Sequence, residues 1–278
     1  MHSATTPPSL FDLTDKVIVI TGATGTLTGS AARYFAAQGA RVVYLARNPE
    51  KLEAALADCR DEFPDAQCMG VVADVLDRPA LEKARDAVLQ KWGRIDGLLN
   101  GAGGNMAGAT ISPDKSFKDL DFDSLQQVVD LNFHGTVLPS LVFADALVEG
   151  GGSVVNFSSV SAPLAVTRVV GYSAAKSAVE NFTRWLAVDM ARKTEGKVRV
   201  NAVLPGFYIG EQNRHLLTNP DGSLTERGQL VVNNTPFGRF GQADELHGAL
   251  HYLLADASKF VTGTILPVDG GFVAFSGV

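Results

Sequence analysis

The sequence is short of the residues that staple, anchor or charge a chain. Two cysteines, Cys59 and Cys68, occur in 278 residues, in no CxxC pair and with no Cys/His cluster at zinc spacing. That excludes a disulfide framework and a zinc site, and it suits a reducing compartment. The opening stretch MHSATTPPSLFDLTDK lacks the apolar core of a signal peptide. No uninterrupted apolar run reaches the length of a membrane span. Excess positive charge is missing too: the net charge is −6, which argues against nucleic acid as a partner. Repeats, linkers and low-complexity tracts are absent. The reading is a cytoplasmic protein that works on small molecules, with no membrane, nucleic-acid or metal role.

What is present is an ordinary globular balance, 46% hydrophobic and 19% charged. The length fits one large α/β unit. Residues 1–14 read as a loose arm and residues 15–278 as one catalytic domain. Short apolar runs such as KVIVI (16–20), RVVYLA (41–46), DGLLN (96–100), GSVVNFS (152–158) and RVNAVLP (199–205) read as strands. Between them, segments such as 29–39, 49–59, 80–92, 122–149 and 172–193 carry apolar residues at helical spacing. Strands that are apolar throughout and alternate with helices predict a doubly wound, Rossmann-like parallel sheet covered on both faces. Segment 206–240 breaks the rhythm. It follows the sixth strand and is polar with scattered apolar residues, which predicts a lid over the ligand crevice.

Two stretches carry chemistry. KVIVITGATGTLTGSAARYF reads as strand, glycine turn and helix, where a pyrophosphate rests on free N–H groups and a positive dipole end. Gly22, Thr24, Gly25, Thr26 and Leu27 are the candidate contacts. The second strand ends in Ala46 and Arg47 rather than a carboxylate, which favours NADP(H), with NAD(H) as the other option. Asp74 and Val75 end a third strand, near where an adenine would be read. Asn100, Gly101, Ala102 and Gly103 bring small residues close to a flat ring. The other stretch is VVGYSAAKSAVENF. Tyr172 and Lys176 lie four residues apart, one helical turn, so they share a face. An ammonium beside a phenol lowers the phenol's pKa and makes it a proton carrier near neutrality. The plainer reading has Tyr172 in the core and Lys176 in solvent.

Taken together, VIVITGATGTLTG, NGAG (100–103), DLNFHGT, NFSSVSA, YSAAK, RVNAVLPGF and VTGTILPVDGGF resemble the short-chain dehydrogenases/reductases over nearly the whole chain. The resemblance implies the roles. Tyr172 is the general acid/base, Lys176 tunes it and holds the nicotinamide ribose, Ser159 binds the substrate oxygen, and Asn132 anchors a water relay. It also sets Pro205, Gly206 and Tyr208 against the cofactor, and it implies a homo-oligomer, tetramer or dimer, through helices 122–149 and 172–193. Within the family the loop EQNR, NPDGSLTER and the tail VDGGFVAFSGV look like the bacterial enzymes assigned as D-mannonate oxidoreductases, also called D-fructuronate reductases. A uronate needs a cation in the pocket. Arg168 or Arg214 is expected to grip it, with Gln212 and Asn213 as neutral donors and Arg214 helping to close the lid.

Three departures from the family pattern stand out. Thr26 and Thr28 replace two glycines of the first turn, Gly210 replaces a threonine after the sixth strand, and the segment between Gly103 and Asn132 is long. The alternatives to a sugar-acid reductase are the same chemistry on a polyol, gluconate-like acid or xenobiotic ketone, or a dinucleotide sensor without turnover.

Overall fold

The computed structural model describes residues 9–210 and 213–277. The residues before Ser9, within the expected arm, lie outside it, as does Gln212. Seven strands form one parallel sheet: β1 (Val17–Thr21), β2 (Arg41–Ala46), β3 (Cys68–Val72), β4 (Gly97–Asn100), β5 (Gly152–Phe157), β6 (Val198–Pro205) and β7 (Ile265–Val268). Their order is β3-β2-β1-β4-β5-β6-β7. The chain returns to the middle of the sheet between β3 and β4, so β1 and β4 are neighbours at the switch point, where α/β sheets open a crevice. Register brings the strand ends level: Thr21 stands beside Asn100, and Asn100 beside Asn156.

β1, β4 and β6 are buried at every position, because both faces are covered. One core packs α1 (Thr26–Ala37), α2 (Pro49–Glu62) and α9 (His247–Leu254) against one face. A second core lies between the other face and α3 (Arg78–Trp92), α5 (Gly135–Gly150) and α6 (Val170–Lys193). Caps set the starts: Asn48 accepts from the Lys51 N–H and Asp77 from the Ala80 N–H, each with proline just inside the helix.

The long helix expected over 122–149 is composite. It runs from α4 (Phe122–Val129) through one π turn, Asp130–His134, into α5. Its Phe122–Gly150 span is long and apolar enough to cross a membrane, with mean hydropathy 1.3, but half of the apolar window is buried in the protein. It is a sheet-covering helix. The expected lid contains two helices that the sequence did not declare, α7 (Arg214–Leu217) and α8 (Glu226–Asn233), joined through the Thr218–Leu224 bridge.

Candidate active site

A cleft of about 1020 Å³ opens at the carboxyl ends of the strands. Its floor is the first turn. Gly22 sits at φ 66°, and a Cβ there would come 2.9 Å from the Ala102 Cα, so only glycine lets the two loops meet. Thr21 Oγ1 accepts from the Gly101 and Ala102 N–H groups at 3.0 and 3.2 Å, tying those loops together. Gly25 caps α1 with no side-chain hydrogen bond, and the first turn holds no acidic residue. An unblocked helix N-terminus on a glycine cradle fits a dinucleotide's pyrophosphate. Thr24, Gly25, Thr26 and Leu27 line the cleft here; Arg47, Asp74 and Val75 line its adenosine end with Arg33 and Lys51.

The two threonines that replace glycines have separate roles. Thr28 is buried; its hydroxyl donates to the Gly22 carbonyl at 2.6 Å, and its methyl occupies the space over Gly101. Thr26 is exposed to the cleft and faces Gly210. A Cβ on Gly210 would lie 2.8 Å from Thr26 Oγ1 and 3.3 Å from its Cβ. The threonine gained at the turn thus takes the room left by the one missing after β6.

Ser159, Tyr172 and Lys176 all stand on the wall of the same cleft. Tyr172 and Lys176 come from the first two turns of α6, and Lys176 is buried with its Nζ donating to the Phe157 carbonyl at 2.8 Å. Burial pulls the Lys176 amine down to about 8. The Nζ lies 5.6 Å from the centre of the Tyr172 ring. Burial pushes the Tyr172 phenol up, and a hydrogen bond with Ser159 opposes this. The expected drop toward neutrality is therefore not supplied by the protein's own side chains: removal of the phenol from water outweighs the neighbouring groups. Ser161, which the sequence reading passed over, donates to Ser159 Oγ from both its N–H and its hydroxyl, at 3.2 and 3.1 Å.

Asn132 sits in the π turn, the kind of bulge that recurs at functional sites. It is fully buried. Its amide donates to the Gly104 and Val128 carbonyls at 2.7 and 2.8 Å, and its oxygen accepts from the Gly104 N–H at 3.2 Å. Both donors are thus committed to backbone, so Asn132 clamps the Gly103–Gly104 loop against the helix beside Lys176.

Several expected residues are placed differently. Asn100 is buried and turned away from the cleft, donating to Ser140 and Asn156 at 2.9 Å each. Pro205, Gly206 and Tyr208 reach the cleft, yet the Tyr208 hydroxyl donates to the Val268 carbonyl at 2.9 Å. Asn213 also lines the cleft, but its amide closes its own loop, donating to the Tyr208 carbonyl at 2.7 Å and accepting from the Gly210 N–H at 2.8 Å. Arg214 is exposed at the start of α7 and is not among the cleft residues. Arg168 is half-buried at φ 79° on the loop leading into α6. Arg227, on α8, lines the cleft instead. No sequence motif pointed to it, beyond its place in NPDGSLTER.

A family model described as enoyl-(acyl carrier protein) reductase matches residues 22–273. The chain belongs to the short-chain dehydrogenase/reductase family and is an NAD(P)-dependent oxidoreductase. It is 41% identical over 277 residues to the uncharacterized oxidoreductase UxuB of Bacillus subtilis, covering 96% of this chain and 98% of that protein. Among solved structures, it resembles a Haemophilus influenzae protein provisionally named a D-mannonate oxidoreductase, with NAD bound. That match has 37% identity and a TM-score of 0.88, and covers 96% and 98% of the two chains. A Burkholderia cenocepacia gluconate 5-dehydrogenase in complex with NADP and tartrate matches at 30% identity and TM-score 0.82, over 95% and 97%.

Proposed function

We propose that this protein interconverts a ketone and a secondary alcohol on a sugar acid of the D-fructuronate/D-mannonate type, with NADP(H) favoured over NAD(H). The bound nicotinamide supplies or takes up the hydride. The chain's residues manage the oxygen and its proton. Ser159, fixed by Ser161, holds the substrate oxygen beside the Tyr172 hydroxyl. Burial keeps Tyr172 protonated at neutral pH, so it is charged with the proton that a reduction needs. Lys176 carries an ammonium below about 8, which opposes the negative charge left on the phenolate. Asn132 keeps the Gly103–Gly104 loop at the right depth for the ring.

The observation that carries the redox role is this one assembly of Ser159, Tyr172 and Lys176 on the wall of a cleft whose floor suits a pyrophosphate. The likeness to the Haemophilus protein across nearly the full chain supports the substrate class. The tartrate-bound gluconate 5-dehydrogenase favours a second reading, a gluconate-type hydroxy acid. For the cofactor, Arg33, Arg47 and Lys51 gather at the adenosine end, a setting that suits a 2′-phosphate. Cofactor oxidation with D-fructuronate, 5-ketogluconate and neutral ketoses tests the substrate. A preference for neutral ketoses refutes the reading. The ratio of kcat/KM for NADPH and NADH in wild type and Arg47→Ala tests the cofactor, and an unmoved ratio refutes Arg47's part.

The partner we assign is a second copy of the chain. Leu141 and Val148 on α5 and Trp185 and Val188 on α6 are large, apolar and exposed. A cytoplasmic setting is part of the same proposal, supported by the scarcity of cysteine in the sequence.

A further inference from the structure

Arg227 on the cleft wall and Arg168, next in sequence to the Thr167 that Arg227 contacts, form an unneutralised pair of cations. Arg227 lies on α8, whose start is fixed by Thr225 accepting from the Gly228 N–H. Its guanidinium crosses to the loop after β5 and donates to Thr167 Oγ1 at 3.2 Å and to the Thr167 carbonyl at 3.4 Å. Arg168 follows directly in that loop, and its backbone is held in the left-handed region, with the Ile111 N–H donating to its carbonyl at 3.0 Å. A non-glycine residue at such a φ is held there only when its surroundings impose it, and such positions cluster at ligand sites. No acidic side chain forms an ion pair with Arg168 or Arg227 among the described residues. Burial, and then the charge on Arg168, press the Arg227 guanidinium below its ordinary range. Two like charges drawn together and half out of water, in a chain of net charge −6, call for an anion between or beside them.

We infer that Arg227, supported by Arg168, is the carboxylate-binding site for the substrate, joining the lid helix α8 to the loop that leads into Tyr172. This rests on the sugar-acid reading above and gives that reading its recognition element. Val166 and Val169, from the loop that Arg227 contacts, line the same cleft as Arg227 and Tyr172. A carboxylate at Arg227 therefore leaves the sugar chain to run over apolar surface toward Ser159 and Tyr172. Because the guanidinium already spans from the lid to the loop, an anion seated on it would tie the two segments together. Substrates without the carboxylate would lack that tie.

The test uses the intact enzyme with reduced cofactor bound, titrated with D-mannonate and D-gluconate as dead-end ligands and with D-mannitol as the neutral counterpart. Wild type should bind the acids in preference to mannitol. Arg227→Met should weaken the acids by about 10–100-fold relative to mannitol, the size of a charged hydrogen bond lost. Arg227→Lys should recover part of the loss, and Arg168→Met should show a smaller effect in the same direction. A loss caused by a disturbed lid would instead weaken acid and mannitol alike, and that result overturns the assignment. So does a wild type that binds neither acid, or an Arg227→Met enzyme with unchanged preference. Turnover separates this from the substrate reading. If the acids bind through Arg227 but wild type reduces no keto acid, the anion site stands and the proposed reaction falls. If keto acids are reduced equally well by Arg227→Met, the reaction stands and this site falls.

Discussion

Replacing Lys176 by methionine should flatten the rise of stability with pH between neutral and alkaline solution while destroying activity. The lysine is buried, and its amine falls from 10.5 to about 8 because burial disfavours the ammonium. The folded state thus binds this proton more weakly than the unfolded chain does. Below about 8 both states are protonated, and the folded state bears the full cost of a buried charge; that cost fades as pH rises toward 10.5. A fall from 10.5 to about 8 corresponds to roughly 3 kcal/mol at neutral pH. Methionine keeps the aliphatic stem and removes the charge, but it leaves the Phe157 carbonyl without its 2.8 Å donor. That loss costs about 1–3 kcal/mol and does not depend on pH. The net gain near neutrality is therefore small, and the informative quantity is its slope. Between about pH 7 and about pH 10 the wild type should gain roughly 2.5 kcal/mol of unfolding free energy on Lys176→Met, enough to make it the more stable of the two at the alkaline end. Parallel curves would mean that Lys176 titrates normally in the fold, and the account of its role as a destabilised ammonium held for catalysis would be wrong.

Tyr172→Phe should lower turnover by about 10²–10⁴-fold in either direction, with cofactor affinity measured by fluorescence little changed; near wild-type turnover would remove the phenol from the reaction. Since burial raises the Tyr172 phenol, ketone reduction should hold up toward acid pH and alcohol oxidation should climb with pH, so the two optima separate, whereas coincident pH–rate profiles would contradict that direction of shift. Gly210→Thr should weaken cofactor binding, since its Cβ would fall 2.8 Å from Thr26 Oγ1, and overpacking of this kind costs about 1–3 kcal/mol. Adding Thr26→Gly should restore it, because it removes the Oγ1 and Cβ that the new side chain meets at 2.8 and 3.3 Å; additive losses in the double-mutant cycle would show that the two sites are uncoupled. Gly103→Ala should impair catalysis together with stability, its new Cβ falling 2.7 Å from Asn132 Oδ1 and 3.4 Å from Lys176 Nζ, and unchanged thermal unfolding would show that the clamp can yield.

The parts of this protein that the sequence discloses are those set by local rules. The sheet was legible because β1, β4 and β6 are covered on both faces, so their apolar runs are unbroken. Tyr172 and Lys176 were legible because helical spacing alone puts them on one face. Asn100 shows a rule available but not applied. Leu98 packs in the core that includes α5, Leu99 in the opposite one, and strand alternation returns Asn100 to the side of Ser140, away from the cofactor. α7 and α8 were hidden because they are only four and eight residues long, too short for a long apolar stripe; α8 starts from the Thr225 cap, and α7 has no side-chain cap.

The site's electrostatics were the least legible part, because they depend on residues far apart in sequence. The spacing of Tyr172 and Lys176 predicts attraction between ammonium and phenolate, and this is an argument about charges in contact. In the fold the larger effect is that both groups have left water, which pushes the phenol up and the amine down. Both shifts favour the neutral forms: the phenol keeps its proton at neutral pH, and the amine remains an ammonium only below about 8. The same logic governs the far end of the cleft. Arg168 lies four residues before Tyr172, and its charge acts on Arg227, a residue of α8 far from it in sequence. Neither residue's sequence neighbours announce the pair. In both places the chain holds charge or potential charge at a cost in the folded state, and a negatively charged ligand is what offsets that cost. The pyrophosphate proposed for the first turn and the carboxylate proposed for Arg227 on α8 would thus each bring negative charge to a positive part of the same cleft.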